Sequence, residues 1–221
     1  MMKERIILCD FDGTITKTDN IISLMKQFAP PEWEGLKDAI LDRSMSIEKG
    51  VGDMFSLLPS RQKDELVDYL LHTATIREGF GDFVQFAKEE GIPLYIVSGG
   101  IDFFVRPLLD GYGPFAGIYC NEADFTGPFI SINWPYPCDG ECGNGGCGCC
   151  KPSVLRSLSI PVGAEVIAIG DSVTDLEMAK VADKVLARDY LADTCNELGI
   201  PHIPFESFHD CIEALREGVR A

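Results

Sequence analysis

Residues 5–14 read Arg5-Ile6-Ile7-Leu8-Cys9-Asp10-Phe11-Asp12-Gly13-Thr14, and this run decides the architecture. The stretch from Ile6 to Cys9 is continuously apolar, the mark of a strand buried on both faces rather than one with a wet side. It ends in two carboxylates, Asp10 and Asp12, which point to the same side of an extended chain. Gly13 then permits a sharp exit. Other short apolar runs at 92–98, 166–170, 184–187 and 202–205 also read as strands, and helical patterns at 79–90, 101–110, 174–182 and 208–216 lie between most of them. Strands alternating with helices specify an α/β fold, a Rossmann-like parallel sheet covered on both faces. Ligands of such sheets bind beyond the carboxyl ends of the strands. That rule directs attention to the residues just past each strand.

One segment breaks the alternation. From 15 to 77 there is no convincing strand. Instead, amphipathic patterns at 20–28, 32–43, 47–58 and 62–73 are punctuated by Pro30-Pro31, Ser44 to Ser46 and Pro59-Ser60. This reads as a four-helix insertion after the first strand, a cap over 15–77, with 1–14 and 78–221 forming the core. A second insertion, 119–150, reads as a hairpin (119–125 with 129–134) followed by a cysteine-rich loop.

Composition narrows the partners. The 221 residues carry a formal net charge of −16 and are 46% hydrophobic. Such acidity gives no general attraction for nucleic acid or anionic membranes. No apolar run approaches the roughly 20 residues of a membrane span, and the N-terminus does not read as a signal peptide. A cytoplasmic protein acting on a small molecule is expected. Gly143, Gly145 and Gly148 satisfy G-x-G-x-x-G, but Trp134-Pro135-Tyr136-Pro137 precedes them where a dinucleotide site needs a strand.

The strand ends carry the chemistry. After the first come Asp10 and Asp12, and after the second Ser98-Gly99-Gly100, a hydroxyl with amides able to approach an anion. Lys151-Pro152-Ser153 opens the helix after the cysteine loop, and Gly170-Asp171-Ser172-Val173-Thr174-Asp175 comes after the next strand. Four carboxylates, Asp10, Asp12, Asp171 and Asp175, repel one another unless a cation neutralises them, and oxygen-only ligands specify a hard ion such as Mg²⁺. A lysine and free amides beside it suit a phosphate. These are the parts of phosphoryl transfer to or from a small phosphorylated metabolite.

In that order, DFDGT, Ser98, Lys151 and GDSVTD resemble the four motifs of the haloacid dehalogenase superfamily of phosphatases. The resemblance implies a helical cap of the phosphoserine phosphatase type. It also implies roles: Asp10 as nucleophile forming an aspartyl-phosphate, and Asp12 as acid and then base. Mg²⁺ would be held by the Asp10 carboxylate, the Asp12 carbonyl and Asp171, with Asp175 in support. Ser98, Lys151 and the amides of Phe11, Asp12 and Gly99 would cradle the phosphate. Further strings (FAPPEW, IREGF, VSGGIDFFV, CGCCKPSV, ARDYL) resemble the methionine-salvage branch, which implies an enol-phosphate substrate with a methylthio tail. Met25, Phe28, Trp33, Met45, Met54 and Phe55 could line a thioether pocket or simply form the core of the cap. A phosphoserine- or phosphocholine-type phosphatase is the alternative on the same fold.

Five of the nine cysteines, Cys138, Cys142, Cys147, Cys149 and Cys150, fall in CDGECGNGGCGCC, residues 138–150. A glycine-rich stretch of this kind is a loop ordered by its thiols. A structural Zn²⁺ site, disulfides or a redox role, and a loop of reduced thiols are the readings open to it. If the loop itself were the functional site, the chain would be a metal-binding or redox module. Cys9, Cys120, Cys195 and Cys211 read as ordinary buried thiols.

Overall fold

Ile6 and Leu8 pack into one apolar cluster, Ile7 and Cys9 into another, and all four are buried. That two-sided burial makes β1 (Arg5–Cys9) the middle of a seven-stranded sheet. The structure, a computed structural model, describes residues 4–217. The other strands are β2 (Leu94–Ile101), β3 (Gly117–Asp124), β4 (Ser131–Asn133), β5 (Glu165–Gly170), β6 (Lys184–Ala187) and β7 (Ile203–Pro204). Their spatial order is β4-β3-β2-β1-β5-β6-β7. Every neighbouring pair is parallel except β3 and β4. In register, Ile7 lies between Leu94 and Ile167. The chain builds outward from β1 in both directions, so the carboxyl end of β1 is the switch point where such sheets hold ligands.

Four helices lie between β1 and β2 before the crossover helix: α1 (Asn20–Phe28), α2 (Trp33–Leu41), α3 (Ile47–Phe55) and α4 (Lys63–Thr73). Their starts follow from local chemistry. The Asp19 side chain accepts from the Ile22 amide at 2.9 Å, and Ser46 Oγ accepts from the Lys49 amide at 3.2 Å, each satisfying a first-turn donor. The crossover helix α5 (Phe80–Glu89) packs on α10 (Phe208–Glu217), with Phe208 5.1 Å from both Phe80 and Phe83, ring centre to ring centre. The remaining helices are α6 (Asp102–Leu108), α7 (Lys151–Ser157), α8 (Leu176–Ala179) and α9 (Asp189–Leu198).

The helical segment is tied down at three places. At its own ends, the Lys17 amide donates to Thr75 O (2.9 Å) and the Arg77 amide to Ile15 O (2.7 Å). Against the hairpin turn, Ser60 N donates to Pro128 O and Ile130 N to Leu58 O. Against the cysteine loop, Glu48 N donates to Gly146 O at 2.9 Å. Met25, Trp33, Met54 and Phe55 are buried in the main core and Phe28 packs against it, as the core-forming reading expects of these five, whereas Met45 is half-buried and outside that core.

Two expectations change. Residues 117–124 are a strand of the main sheet, parallel to β2, and not merely one arm of an inserted hairpin. The polar residues Asn121, Glu122 and Asp124 in its second half hide that membership from the sequence pattern. The helix expected over 174–182 shrinks to α8, because Ser172 and Asp175 form a capping box that tightens residues 173–175 into a 3₁₀ turn. Among the described residues no helix is long and apolar enough to cross a membrane.

Candidate active site

The residue following β1 is Asp10, whose amide donates to Ile169 O on β5 at 2.9 Å. Its side chain is 5% exposed. Lys151, the first residue of α7, sends its ammonium between two carboxylates. It donates to Asp10 Oδ1 at 2.6 Å and to Asp175 Oδ1. Burial opposes the charge on Lys151, but Asp10 and Asp175 outweigh it and hold its pKa above the usual lysine range. Asp175 Oδ2 accepts from the amides of Asp171 (3.1 Å) and Ser172 (3.0 Å) and from Ser172 Oγ. Gly170 is required beneath it: a Cβ there would lie 2.3 Å from the Asp175 carboxyl carbon.

Asp171 completes the cluster. Thr14 Oγ1 donates to its Oδ1 at 2.7 Å. Gly13, at φ +81°, passes so close that a Cβ would sit 2.2 Å from Asp171 Oδ2. Carboxylate oxygens of Asp10, Asp171 and Asp175 all lie within 4.8 Å of one another. Burial, and then Asp175, push the Asp171 carboxyl up to about 6, and the same two causes raise Asp10 well above the ordinary range. Such crowding of hard oxygen donors fits a divalent cation, which would relieve the repulsion.

Asp12 follows two residues after Asp10. Its Oδ1 accepts from the Asn20 amide (3.0 Å) and from Asn20 Nδ2 (2.6 Å), while its Oδ2 is shut away from solvent without a partner. Burial of the carboxylate, with Asp19 nearby, raises Asp12 to about 7, against the opposing effect of the Asn20 hydrogen bonds. A carboxyl that titrates near neutrality can both give and take a proton.

Ser98 lies within β2 and not beyond it. It is wholly buried, and its Oγ accepts from the Gly100 amide at 2.9 Å. The register of β2 against β3 shifts between Val97 and Ile101, a bulge of the kind found beside active sites. The bulge brings Gly100 against Asp12, where a Cβ would be 2.5 Å from Oδ2. At Gly99 a Cβ would meet nothing within 4 Å, so the chain is open there.

Three side chains supporting this arrangement were not singled out by the pattern reading. Asn20 holds Asp12. Arg77 is 6% exposed and donates to Gly13 O (2.6 Å) and Thr14 O (2.7 Å), pinning the turn after Asp12. Asn121 is buried and donates to Gly99 O at 2.8 Å. Asp19 is occupied as the α1 cap.

The cysteine loop immediately precedes Lys151. Cys138, Cys142, Cys147 and Cys150 bring their sulfurs within 4.8 Å of one another. Cys149 does not join them: its thiol points to Tyr119 O at 3.7 Å, and it packs with Val97 and Val154.

Known proteins resemble the chain along nearly its whole length. The chain is 61% identical over 216 residues, 98% of its own length and 97% of the relative's, to 2-hydroxy-3-keto-5-methylthiopentenyl-1-phosphate phosphatase of Geobacillus thermodenitrificans (strain NG80-2). It is 56% identical over 210 residues, 95% of its length and 89% of the relative's, to the protein of the same name from Bacillus velezensis (strain DSM 23117 / BGSC 10A6 / LMG 26770 / FZB42). Its fold is similar to a solved structure described as a phospho-aspartyl intermediate analogue of phosphoserine phosphatase, with a TM-score of 0.71, 18% identity, and coverage of 96% of this chain and 99% of that one. The model of the haloacid dehalogenase-like hydrolases matches residues 7–180, and the chain belongs to that family of enzymes.

Proposed function

We propose that the chain is a Mg²⁺-dependent phosphatase that hydrolyses 2-hydroxy-3-keto-5-methylthiopentenyl-1-phosphate to the acireductone 1,2-dihydroxy-3-keto-5-methylthiopentene and phosphate, serving methionine salvage in the cytoplasm. The observation that carries this reading is the convergence of Asp10, Asp171 and Asp175 around Lys151 in a chain 61% identical to a phosphatase of that name. Residues 15–77 act as the cap and 1–14 with 78–221 as the catalytic core. The partner is a small phosphorylated metabolite, with no part for nucleic acid or membrane.

Asp10 attacks phosphorus, and the leaving enolate oxygen takes its proton from Asp12. The carboxylate left on Asp12 then removes a proton from water, whose oxygen attacks the phosphorus of the aspartyl-phosphate, freeing phosphate and restoring both acids. The buried, unpartnered Oδ2 of Asp12 suits that traffic, and Asn20 keeps the carboxyl aimed. Lys151, with Ser98 and the Gly99 amide, binds phosphate oxygens. Mg²⁺, when bound by the Asp10 and Asp171 carboxylates and the Asp12 carbonyl, supplies neutralisation of the anionic centre. Asp175 supports the site by holding Lys151 and the 171–172 backbone.

Steady-state turnover of the methylthio enol-phosphate against O-phosphoserine and phosphocholine tests the substrate; preference for either of the latter overturns it. Asp10→Asn should abolish hydrolysis of every ester, and retained turnover overturns the nucleophile.

A further inference from the structure

The loop 138–150 has too little apolar content to order itself. Its sulfurs nevertheless converge in a definite pattern. Cys142 Sγ and Cys147 Sγ are 3.8 Å apart, and all four sulfurs of Cys138, Cys142, Cys147 and Cys150 lie within 4.8 Å of one another. Four sulfurs about 2.3 Å from a central ion stand at the corners of a tetrahedron with edges of about 3.8 Å. The convergence is selective. Cys149 is adjacent to Cys150 in sequence and yet faces the opposite way, toward Tyr119 O. Loosely gathered thiols would not sort themselves in this manner.

The surroundings are those of a bound thiolate cluster. The Cys147 amide donates to Cys138 Sγ at 3.4 Å, and Ser153 Oγ donates to Cys150 Sγ at 3.0 Å. Ser153 Oγ in turn accepts from the Asp139 amide, and Arg156 grips the Asp139 carboxylate with two bonds of 2.6 Å. Hydrogen bonds that orient ligand sulfurs in this way are the usual outer layer of a metal site. Gly145, Gly146 and Gly148 all have left-handed φ (67°, 61° and 75°), which lets the chain curl around one point. Gly146 also lies so near Ser46 that a Cβ would be 2.7 Å from the serine Cβ.

We propose that Cys138, Cys142, Cys147 and Cys150 bind one Zn²⁺ ion in a closed, tetrahedral, all-thiolate site that fixes the start of α7. Four soft donors with no open position specify a structural rather than a catalytic ion, and zinc among the divalent metals. The ion orders Cys150, the N-cap of α7, and therefore its neighbour Lys151. Through Gly146 O and Glu48 N it also anchors the start of α3.

The test uses the full chain and reads metal, independently of any substrate. Elemental analysis of protein expressed with added zinc should give about one Zn per chain. Cobalt reconstitution should produce the intense visible bands of tetrahedral thiolate ligation. Cys142→Ser and Cys147→Ser should lose most of the zinc and those bands, while Cys149→Ser keeps both. Circular dichroism of each variant separates lost metal from lost fold. Amide exchange at Val154, whose N–H bonds to Cys150 O at 2.9 Å, should quicken at least tenfold on chelation. Wild-type protein with no zinc and no cobalt bands overturns the site, as does iron in its place or an intact mass showing loop disulfides. Equal loss of metal from Cys149→Ser overturns the ligand set. Val154 exchange unchanged by chelation overturns the anchoring of α7.

Discussion

Gly100→Ala adds one methyl group where the structure has space for none. The new Cβ would lie 2.5 Å from Asp12 Oδ2 and 2.9 Å from Val105 Cγ2. The φ of Gly100 lies outside the left-handed region, so the backbone itself accepts alanine. Restoring an ordinary contact of about 3.3 Å requires the Asp12 carboxylate to retreat by about 0.8 Å. Nothing holds Oδ2, whereas Asn20 holds Oδ1, so the displacement falls on the oxygen that would handle the proton. Misplacing a reacting group by about 1 Å costs on the order of 100-fold. A 10- to 100-fold fall in kcat is therefore expected, about 1.4–2.7 kcal/mol of barrier. Overpacking against Val105 should separately lower stability by about 1–3 kcal/mol. The assay is phosphate release at saturating substrate, run well below a melting temperature measured for each variant. A folded Gly100→Ala enzyme with kcat within about threefold of wild type would refute the placement of Asp12 as the proton carrier.

Other perturbations reach the same site from different sides. Asn20→Ala removes a hydrogen bond that lowers the Asp12 pKa, so that pKa should rise further above about 7 and the kcat optimum should move to higher pH; an unmoved profile would contradict the positioning role. Lys151→Met leaves Asp10 and Asp175 buried without their shared cation and should remove about 3–5 kcal/mol of stability at neutral pH. Urea titration measures it, and a loss below about 1 kcal/mol would disprove the pairing. Asp171 is raised to about 6, so its contribution to the metal-free fold is present below the unfolded value near 3.9 and fades as pH climbs through about 6. Mg²⁺ competes with that proton, so the increase in melting temperature it confers should grow from pH 5 to pH 7; equal increments at both would exclude Asp171 as a ligand.

The acids and the lysine were legible in the sequence because each terminates an apolar run or begins a helix, and a parallel sheet gathers such ends at one edge. Asp10, Asp171 and Lys151 meet on that logic alone. Arg77 and Gly13 are 64 positions apart, and Asn121 reaches Gly99 across a strand pair. Pairings like these depend on the fold and leave no periodicity. Ser98 looked like a residue beyond a strand because glycines come after it, but the strand continues through the glycines as a bulge. The five loop cysteines looked equivalent, since spacing does not reveal that Cys149 and Cys150 face opposite ways.

The backbone pairing at the two ends of the helical segment has a consequence for what the fold tolerates. Thr16 bridges Ile76, Lys17 N meets Thr75 O, and Arg77 donates from its amide to Ile15 O while its guanidinium grips Gly13 and Thr14. Nearly sixty residues thus leave and re-enter the sheet domain through a gap one strand-pair wide, about 5 Å. Closing a longer or shorter excursion between the same two points changes the chain entropy by only about 0.6 kcal/mol per doubling. The architecture behaves like a socket: the clasp at 13–17 and 75–77 fixes the turn after Asp12, and provided Asn20 stays in place to hold Asp12, the rest of the excursion can change length at little cost in chain entropy.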